Sequence, residues 1–335
     1  MHDEWVAYDS ARAPSTPTEV RIAMAWSEVL NLPVERIGRD DDFFRRGGTS
    51  LGAVRLLERL DRQVSLSQLC QFPVLRDLAT AVDRGAEPDA PLLHDLTPPI
   101  TGPDAHLVCL PDAGGNALNF HRPAEQLAAE RIAVHAVEPP GHDVGAAHSD
   151  LLPLDALARR AAHEIGALSP APVMLWGQGC GAALAVSTAR LLEASGRAPE
   201  RVFLGELPLE PVEDLRAEMK LLAGMSNRQV AGLLHAGGSY IEVGGRKAER
   251  MELVGQAYRH DVYAADDFLI AAQQRPARHR LDCPVHVVVP AAAEDRGFRR
   301  WQLLAGTVTL HRVASREPAG VVLSVRSTAI EEGSR

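Results

Sequence analysis

Five residues, Gly177-Gln178-Gly179-Cys180-Gly181, constrain this chain more than any other stretch. Glycines at alternate positions let the backbone crowd together where side chains would collide. Ahead of them Val173-Met174-Leu175-Trp176 is a short apolar run that reads as a buried strand, and behind them Ala182-Ala183-Leu184-Ala185-Val186 opens a helix running towards Leu192. A strand that turns sharply into a helix is the repeating unit of a parallel sheet.

The rest of the second half keeps that rhythm. Strand-like runs lie at 106–110, 132–137, 173–176, 201–204, 285–289 and 308–313, with helical stretches at about 121–129, 155–167 and 182–195. From Glu213 to His279 the rhythm stops and the sequence is helical and loop-rich. An insertion of that length in a sheet protein is commonly a lid over an active site.

Before the sheet pattern comes a different one. Ser15-Thr16-Pro17-Thr18-Glu19 combines a helix cap with an early proline, and Val20, Ala23, Trp26, Val29 and Leu30 follow at helical spacing. Leu51, Val54, Leu57 and Leu60 form a second stripe. Proline and glycine without hydrophobic period mark 83–104 as a linker. The expected organisation is an extension over 1–15, a small all-α domain over 16–82, that linker, and a domain over 105–330 with a lid at about 213–279.

Charge and cysteine usage exclude several classes. A net charge of −9, with 35 Lys and Arg scattered along the chain, argues against a nucleic-acid partner. No apolar run reaches the roughly 18 residues of a membrane span, and the acidic start lacks the basic and apolar regions of a signal peptide, so a cytoplasmic protein is expected. Cys70, Cys109, Cys180 and Cys283 are far apart without a C-x-x-C pair, which indicates neither zinc nor a disulfide framework. Cys109 and Cys283 lie beside strand-like runs and read as buried thiols.

Asp40-Asp41-Asp42-Phe43-Phe44-Arg45-Arg46-Gly47-Gly48-Thr49-Ser50-Leu51 resembles the signature of acyl and peptidyl carrier domains. The resemblance extends over 16–82 and includes 64–79, which is similar to the third and fourth helices of a carrier. It implies a four-helix bundle with 4'-phosphopantetheine on Ser50, and partners comprising a phosphopantetheinyl transferase and an adenylation domain or other loading enzyme. A helix start favours a phosphate through its free N–H groups and dipole, and the paired glycines permit close approach. The alternative is that Ser50 only caps its helix. The connection from Leu60 to Val64 is shorter than is usual for carriers.

The glycine turn has the form of the G-x-S-x-G elbow that holds a serine nucleophile, with Gly179 in place of the serine. From Leu107 onward the chain resembles the stand-alone, type II thioesterases found beside nonribosomal peptide and polyketide synthetases. Pro111-Asp112-Ala113-Gly114-Gly115-Asn116, Val137-Glu138-Pro139-Pro140-Gly141 and Tyr258-Arg259-His260-Asp261 carry the likeness. It implies an α/β-hydrolase, a mostly parallel sheet with helices on both faces and a helical lid, and an oxyanion hole from the N–H groups of Ala113 and Cys180. The aspartate of the triad falls on the loop holding Glu294 and Asp295, best on Asp295, whereas Glu317 stands at the histidine's place. Two members of the Ser-His-Asp set are therefore replaced.

Cys180, one residue past the nucleophile position, is expected to pack into the fold, with nucleophilic attack as the alternative. Asp295 and Glu317 are loop acids or, if buried, general bases. His121 and His142 are isolated histidines of the kind that usually have structural roles. Three functions follow: a pathway carrier whose thioesterase-like domain presents its cargo without ordinary hydrolysis; an active enzyme using Cys180 or a carboxylate; or a module that recruits a tailoring enzyme.

Overall fold

The computed structural model describes residues 13–60, 63–84, 91–142, 150–236, 248–291, 297–313 and 318–333. Its first part is four helices: α1 (Pro17–Leu30), α2 (Ser50–Arg59), α3 (Leu66–Gln71) and α4 (Leu75–Arg84). Three start where the sequence supplies acceptors for orphan N–H groups. The Thr16 hydroxyl accepts from Glu19, the Thr49 hydroxyl accepts from Gly52, and Ser65 and Gln68 form a capping box. Ile22, Trp26, Phe43, Leu56, Leu69 and Leu78 meet between the helices with no solvent exposure.

Seven strands follow: β1 (Leu93–Asp95), β2 (Ala105–Leu110), β3 (Ile132–Val137), β4 (Val173–Gln178), β5 (Arg201–Gly205), β6 (Val285–Pro290) and β7 (Val308–Val313). They form one sheet in the order β1-β3-β2-β4-β5-β6-β7. β1 runs antiparallel to β3, and the remaining neighbours are parallel. The central strands β2 and β3 are buried along their whole length, which explains why they read as continuous apolar runs.

Helices cover both faces. Ala124 and Leu127 of α5 (His121–Ala128) and Val322 of α12 (Pro318–Gly333) pack on one. On the other lie Ala161 of α6 (Leu154–Gly166), Ala185 of α7 (Gly181–Ala194) and Leu269 of α10 (Ala248–Gln274). The segment between β5 and β6 begins with α8 (Val212–Ala223) and α9 (Asn227–Ala236), and α10 completes the helical lid. A short α11 (Phe298–Trp301) precedes β7.

One boundary differs from the sequence reading. β1 lies inside the stretch read as linker, with Leu92 buried and the N–H groups of Leu92 and Leu93 held by the Glu164 carboxylate at 3.0 and 2.8 Å. Three strand residues between prolines carry no periodicity. Pairing to β3, which the local sequence does not encode, makes them a strand.

Candidate functional site

β2 and β4 are parallel neighbours, so the loops that leave their ends lie side by side. The loop after β2 begins Pro111-Asp112-Ala113, and the turn after β4 is Gly179-Cys180. Gly179 has φ +49°, and its N–H donates to the Gly205 carbonyl at 2.8 Å. The flanking glycines are required by crowding. A Cβ at Gly177 would lie 2.6 Å from the Ala182 Cα, and one at Gly181 would lie 2.3 Å from the Pro111 oxygen.

Asp112 folds back onto this turn. Its Oδ1 accepts the Ala113 N–H at 2.7 Å and the Cys180 N–H at 2.8 Å, the two donors that the resemblance assigns to the oxyanion hole. A Cβ on Gly179 would lie 2.1 Å from the same oxygen and 2.5 Å from Oδ2. The carboxylate therefore stands where a side chain at position 179 would begin. Asp112 is exposed to the cleft although protein surrounds it on most sides. Burial lifts its pKa above the ordinary carboxylate value, against the pull of the two N–H groups.

Beside it is an ion pair. His142 Nε2 donates to Asp261 Oδ2 at 2.6 Å; the same oxygen accepts the Gly114 N–H at 2.7 Å, and His260 Nδ1 lies 3.1 Å from Oδ1. Burial alone would discharge both partners. Their mutual attraction prevails, raising the His142 pKa above its ordinary value and holding Asp261 at about 2. This pair ties the loop after β3 and the loop after β2 to α10.

Cys180 is half-buried and lines a cavity of about 40 Å³ with Pro111, Asp112, Ala113, Leu184 and Asp261. It also touches the cluster formed by Ala113, Leu222 and Val262 beneath the lid. Packing into the fold was expected from sequence; the side chain is partly buried against the core and also borders this cavity. Burial, followed by the charges of Asp112, Asp266, Asp261 and Glu218, pushes its thiol well above the ordinary value. Such surroundings oppose a thiolate.

Two further acids act on the Cys180 thiol through their charge. Asp266 lies one helical turn beyond Val262, is 4% exposed, and its Oδ2 has no hydrogen-bond partner. Burial and the charges of Glu218 and Asp267 bring its pKa up to about 7. Glu218 on α8 is raised by burial and by Glu210 and Asp112. Asp295 and Glu317, expected at the acid and base positions, lie outside the described residues.

In the helical domain Ser50 is the first residue of α2, and the cap is Thr49, so the capping alternative for Ser50 belongs to its neighbour. Gly47 has φ +95°, and a Cβ on Gly48 would lie 2.4 Å from the Phe43 ring. A ten-residue helix whose N-terminal turn follows two such glycines suits a phosphate group. Next to this loop Phe44 stacks on His121 of the sheet domain, ring centroids 3.9 Å apart, and Leu118 joins the helical domain's core. Burial lowers the His121 pKa to about 4. Its role is structural, as expected, although its partner across the domain boundary was not legible in sequence. Nor was the position of the Asp112 carboxylate: the Pro-Asp-Ala-Gly-Gly loop was the available signal, and it does not say which way the side chain turns.

A mostly parallel sheet covered on both faces, a glycine elbow after its central strand and an inserted helical lid define an α/β-hydrolase, here preceded by a helical carrier. Residues 105–307 match the thioesterase domain family, and residues 20–82 match the phosphopantetheine attachment site family. The chain belongs to the thioesterase family and carries a phosphopantetheine attachment domain ahead of it. It is 31% identical over 204 residues to indigoidine synthase of Dickeya dadantii, a match covering 57% of this chain and 13% of that protein. It is 41% identical over 80 residues to nonribosomal peptide synthetase easA of Emericella nidulans, covering 23% of this chain and 1% of that protein. The chain thus spans a small part of these relatives. Among solved structures, the Vlm2 thioesterase domain bound with a dodecadepsipeptide superposes with a TM-score of 0.52 at 20% identity, covering 68% of this chain and 90% of that one, a likeness of fold.

Proposed function

We propose that this chain is a carrier and thioesterase-like unit of nonribosomal peptide biosynthesis that holds an aminoacyl or peptidyl group on Ser50 and presents it without serine-based hydrolysis. The observation that carries this reading is the Asp112 carboxylate bonded to the Ala113 and Cys180 N–H groups in front of Gly179. Acyl transfer to a hydrolase needs an attacking oxygen and donors free to receive the developing oxyanion. Position 179 offers no attacking atom, and the donors already hold a carboxylate. Cys180 is a poor substitute, since burial and, after it, the surrounding acids keep the thiol protonated.

Phosphopantetheine, when attached, supplies the thiol that carries the acyl group. Ser50 holds it at the start of α2, and the loop from Phe43 to Thr49 presents that serine to the transferase. An adenylation domain or another loading enzyme charges the thiol.

Intact mass spectrometry tests both parts. Treatment with acyl-coenzyme A and a phosphopantetheinyl transferase should add one acyl-phosphopantetheine to the chain and none to Ser50→Ala. The added acyl group should then persist for hours, with the same decay in Cys180→Ala. Modification of Ser50→Ala overturns the carrier assignment. Loss within minutes, abolished by Cys180→Ala, establishes a displaced nucleophile and overturns the non-hydrolytic reading.

A further inference from the structure

Away from the cleft, four polar side chains form an unbroken line. The Ser169 hydroxyl lies 2.7 Å from His106 Nε2, His106 Nδ1 lies 2.9 Å from His135 Nε2, and His135 Nδ1 lies 2.6 Å from Asp95 Oδ1. The register of the sheet makes this line. Asp95 of β1 is the antiparallel partner of His135 on β3, and His106 comes from the neighbouring β2. Ser169, on the segment between α6 and β4, completes it. Ser169 precedes β4 and His106 is near the start of β2, whereas Asp112 and Gly179 follow the ends of those strands, so the line lies at the opposite end of the sheet from the cleft.

With both rings neutral, the direction of the protons is fixed. A carboxylate can only accept, so His135 carries its hydrogen on Nδ1 and offers a lone pair at Nε2. His106 must then donate from Nδ1, which leaves its Nε2 to accept from the Ser169 hydroxyl. The two histidines are 4% and 6% exposed, whereas Ser169 is open to solvent at one end of the line and Asp95 at the other. Burial, followed by the charges of His135 and Arg197, lowers the His106 pKa below its ordinary value and keeps the ring in the form that takes a proton. A hydroxyl bonded to an imidazole that a further group orients is the arrangement of an activated nucleophile.

A positive group stands beside the reacting end. Arg197 Nη2 donates to the Ser169 carbonyl at 2.6 Å and Nη1 to the Gly166 carbonyl at 3.0 Å. Its other guanidinium N–H groups have no protein partner among the described residues, so positive charge is at hand when an oxyanion develops next to Ser169. We infer that Ser169 is a second reactive site, a nucleophile for activated acyl esters, with His106 as its general base and with His135 and Asp95 as positioning residues. The Ser169 oxygen bonds to the carbonyl carbon while its proton passes to His106 Nε2. The bond from that carbon to the leaving oxygen then breaks, and the departing group takes the proton from His106. The products are an acyl ester of Ser169 and a free alcohol. None of Ser50, Asp112 and Gly179 takes part, so this site stands or falls independently of the reading of the cleft.

The test treats the full chain with p-nitrophenyl acetate and follows acetylation residue by residue, by digestion and mass spectrometry against time. Ser195 is the internal reference, since it is exposed and its hydroxyl donates to the Leu192 carbonyl with no base beside it. Ser169 should be acetylated about a hundredfold faster than Ser195, the lower end of what a general base supplies. His106→Asn should bring that ratio close to one. Because a change at a buried histidine can disturb folding, the second variant is Asp95→Asn, at an exposed carboxylate, with its native fold checked by circular dichroism. It should lower the ratio about tenfold, and Asp95→Glu, which keeps an acceptor, should retain most of it. A ratio near one in the unaltered chain, or a ratio untouched by His106→Asn, overturns the inference. A ratio that falls in His106→Asn but is unmoved in a folded Asp95→Asn overturns the positioning role of His135 and Asp95.

Discussion

Gly179 and Asp112 depend on each other. The glycine has a left-handed backbone that disfavours any side chain by about 1–2 kcal/mol, and its missing Cβ is the space in which the carboxylate sits. Gly179→Ser should therefore destabilise the chain by about 2–3 kcal/mol in urea unfolding. Adding Asp112→Ala should recover about half of that, because only the backbone term remains. A neutral Gly179→Ser would show that Asp112 moves aside freely. The His142–Asp261 pair has its own signature, and Asp261→Asn should cost about 2–3 kcal/mol by stranding a charged histidine and an N–H. Asp261 is depressed from 3.8 to about 2, so its contribution is present above pH 3.8 and fades as pH falls through that range. His142 is raised above 6.5, so its share is complete below pH 6.5 and is lost as pH rises through the folded value. Urea midpoints measured against pH should decline at both ends, and His142→Gln should flatten the alkaline decline.

Elements formed from local chemistry were the legible ones. β3 and β7 fall where apolar runs predict them, and α1 starts at the threonine and proline that mark its cap. α2 is a case where the cap also bears on the candidate attachment site. Thr49→Ala removes the acceptor for the Gly52 N–H and should reduce stability by about 1 kcal/mol. Because Ser50 opens the same turn, this change should also slow phosphopantetheine transfer severalfold, followed by mass against time. Unaltered transfer in a measurably destabilised Thr49→Ala would separate the attachment reaction from helix integrity. β1 was illegible for the opposite reason: its bonds come from β3 and from Glu164 on α6, both far along the chain.

The two domains meet at Phe44, Leu118 and His121, which puts the loop before Ser50 against the segment that follows the Asp112 loop. His121 is held at about 4, below its ordinary 6.5, by burial. The contact is therefore intact above pH 6.5 and weakens as pH falls towards 4, where the ring must be charged in a site that excludes charge. Small-angle scattering should show a larger radius of gyration at pH 4.5 than at pH 7.5. Phe44→Ala should give the larger value already at pH 7.5, since it removes a stacking contact worth about 1 kcal/mol. A radius independent of both changes would mean that other contacts hold the domains together.

From the linear chain alone came the carrier and thioesterase domains, the parallel sheet, the candidate attachment serine at position 50 and the glycine turn around position 179. Each rests on periodicity, composition or a motif of adjacent residues, which are properties of neighbours in sequence. The Asp112 carboxylate on the Ala113 and Cys180 N–H groups, the His142–Asp261 pair, the orphaned oxygen of Asp266 and the Phe44–His121 stack were decided by tertiary structure. Each joins groups more than sixty residues apart, or depends on what surrounds a group after folding, and burial and field at a point are set by everything packed around it.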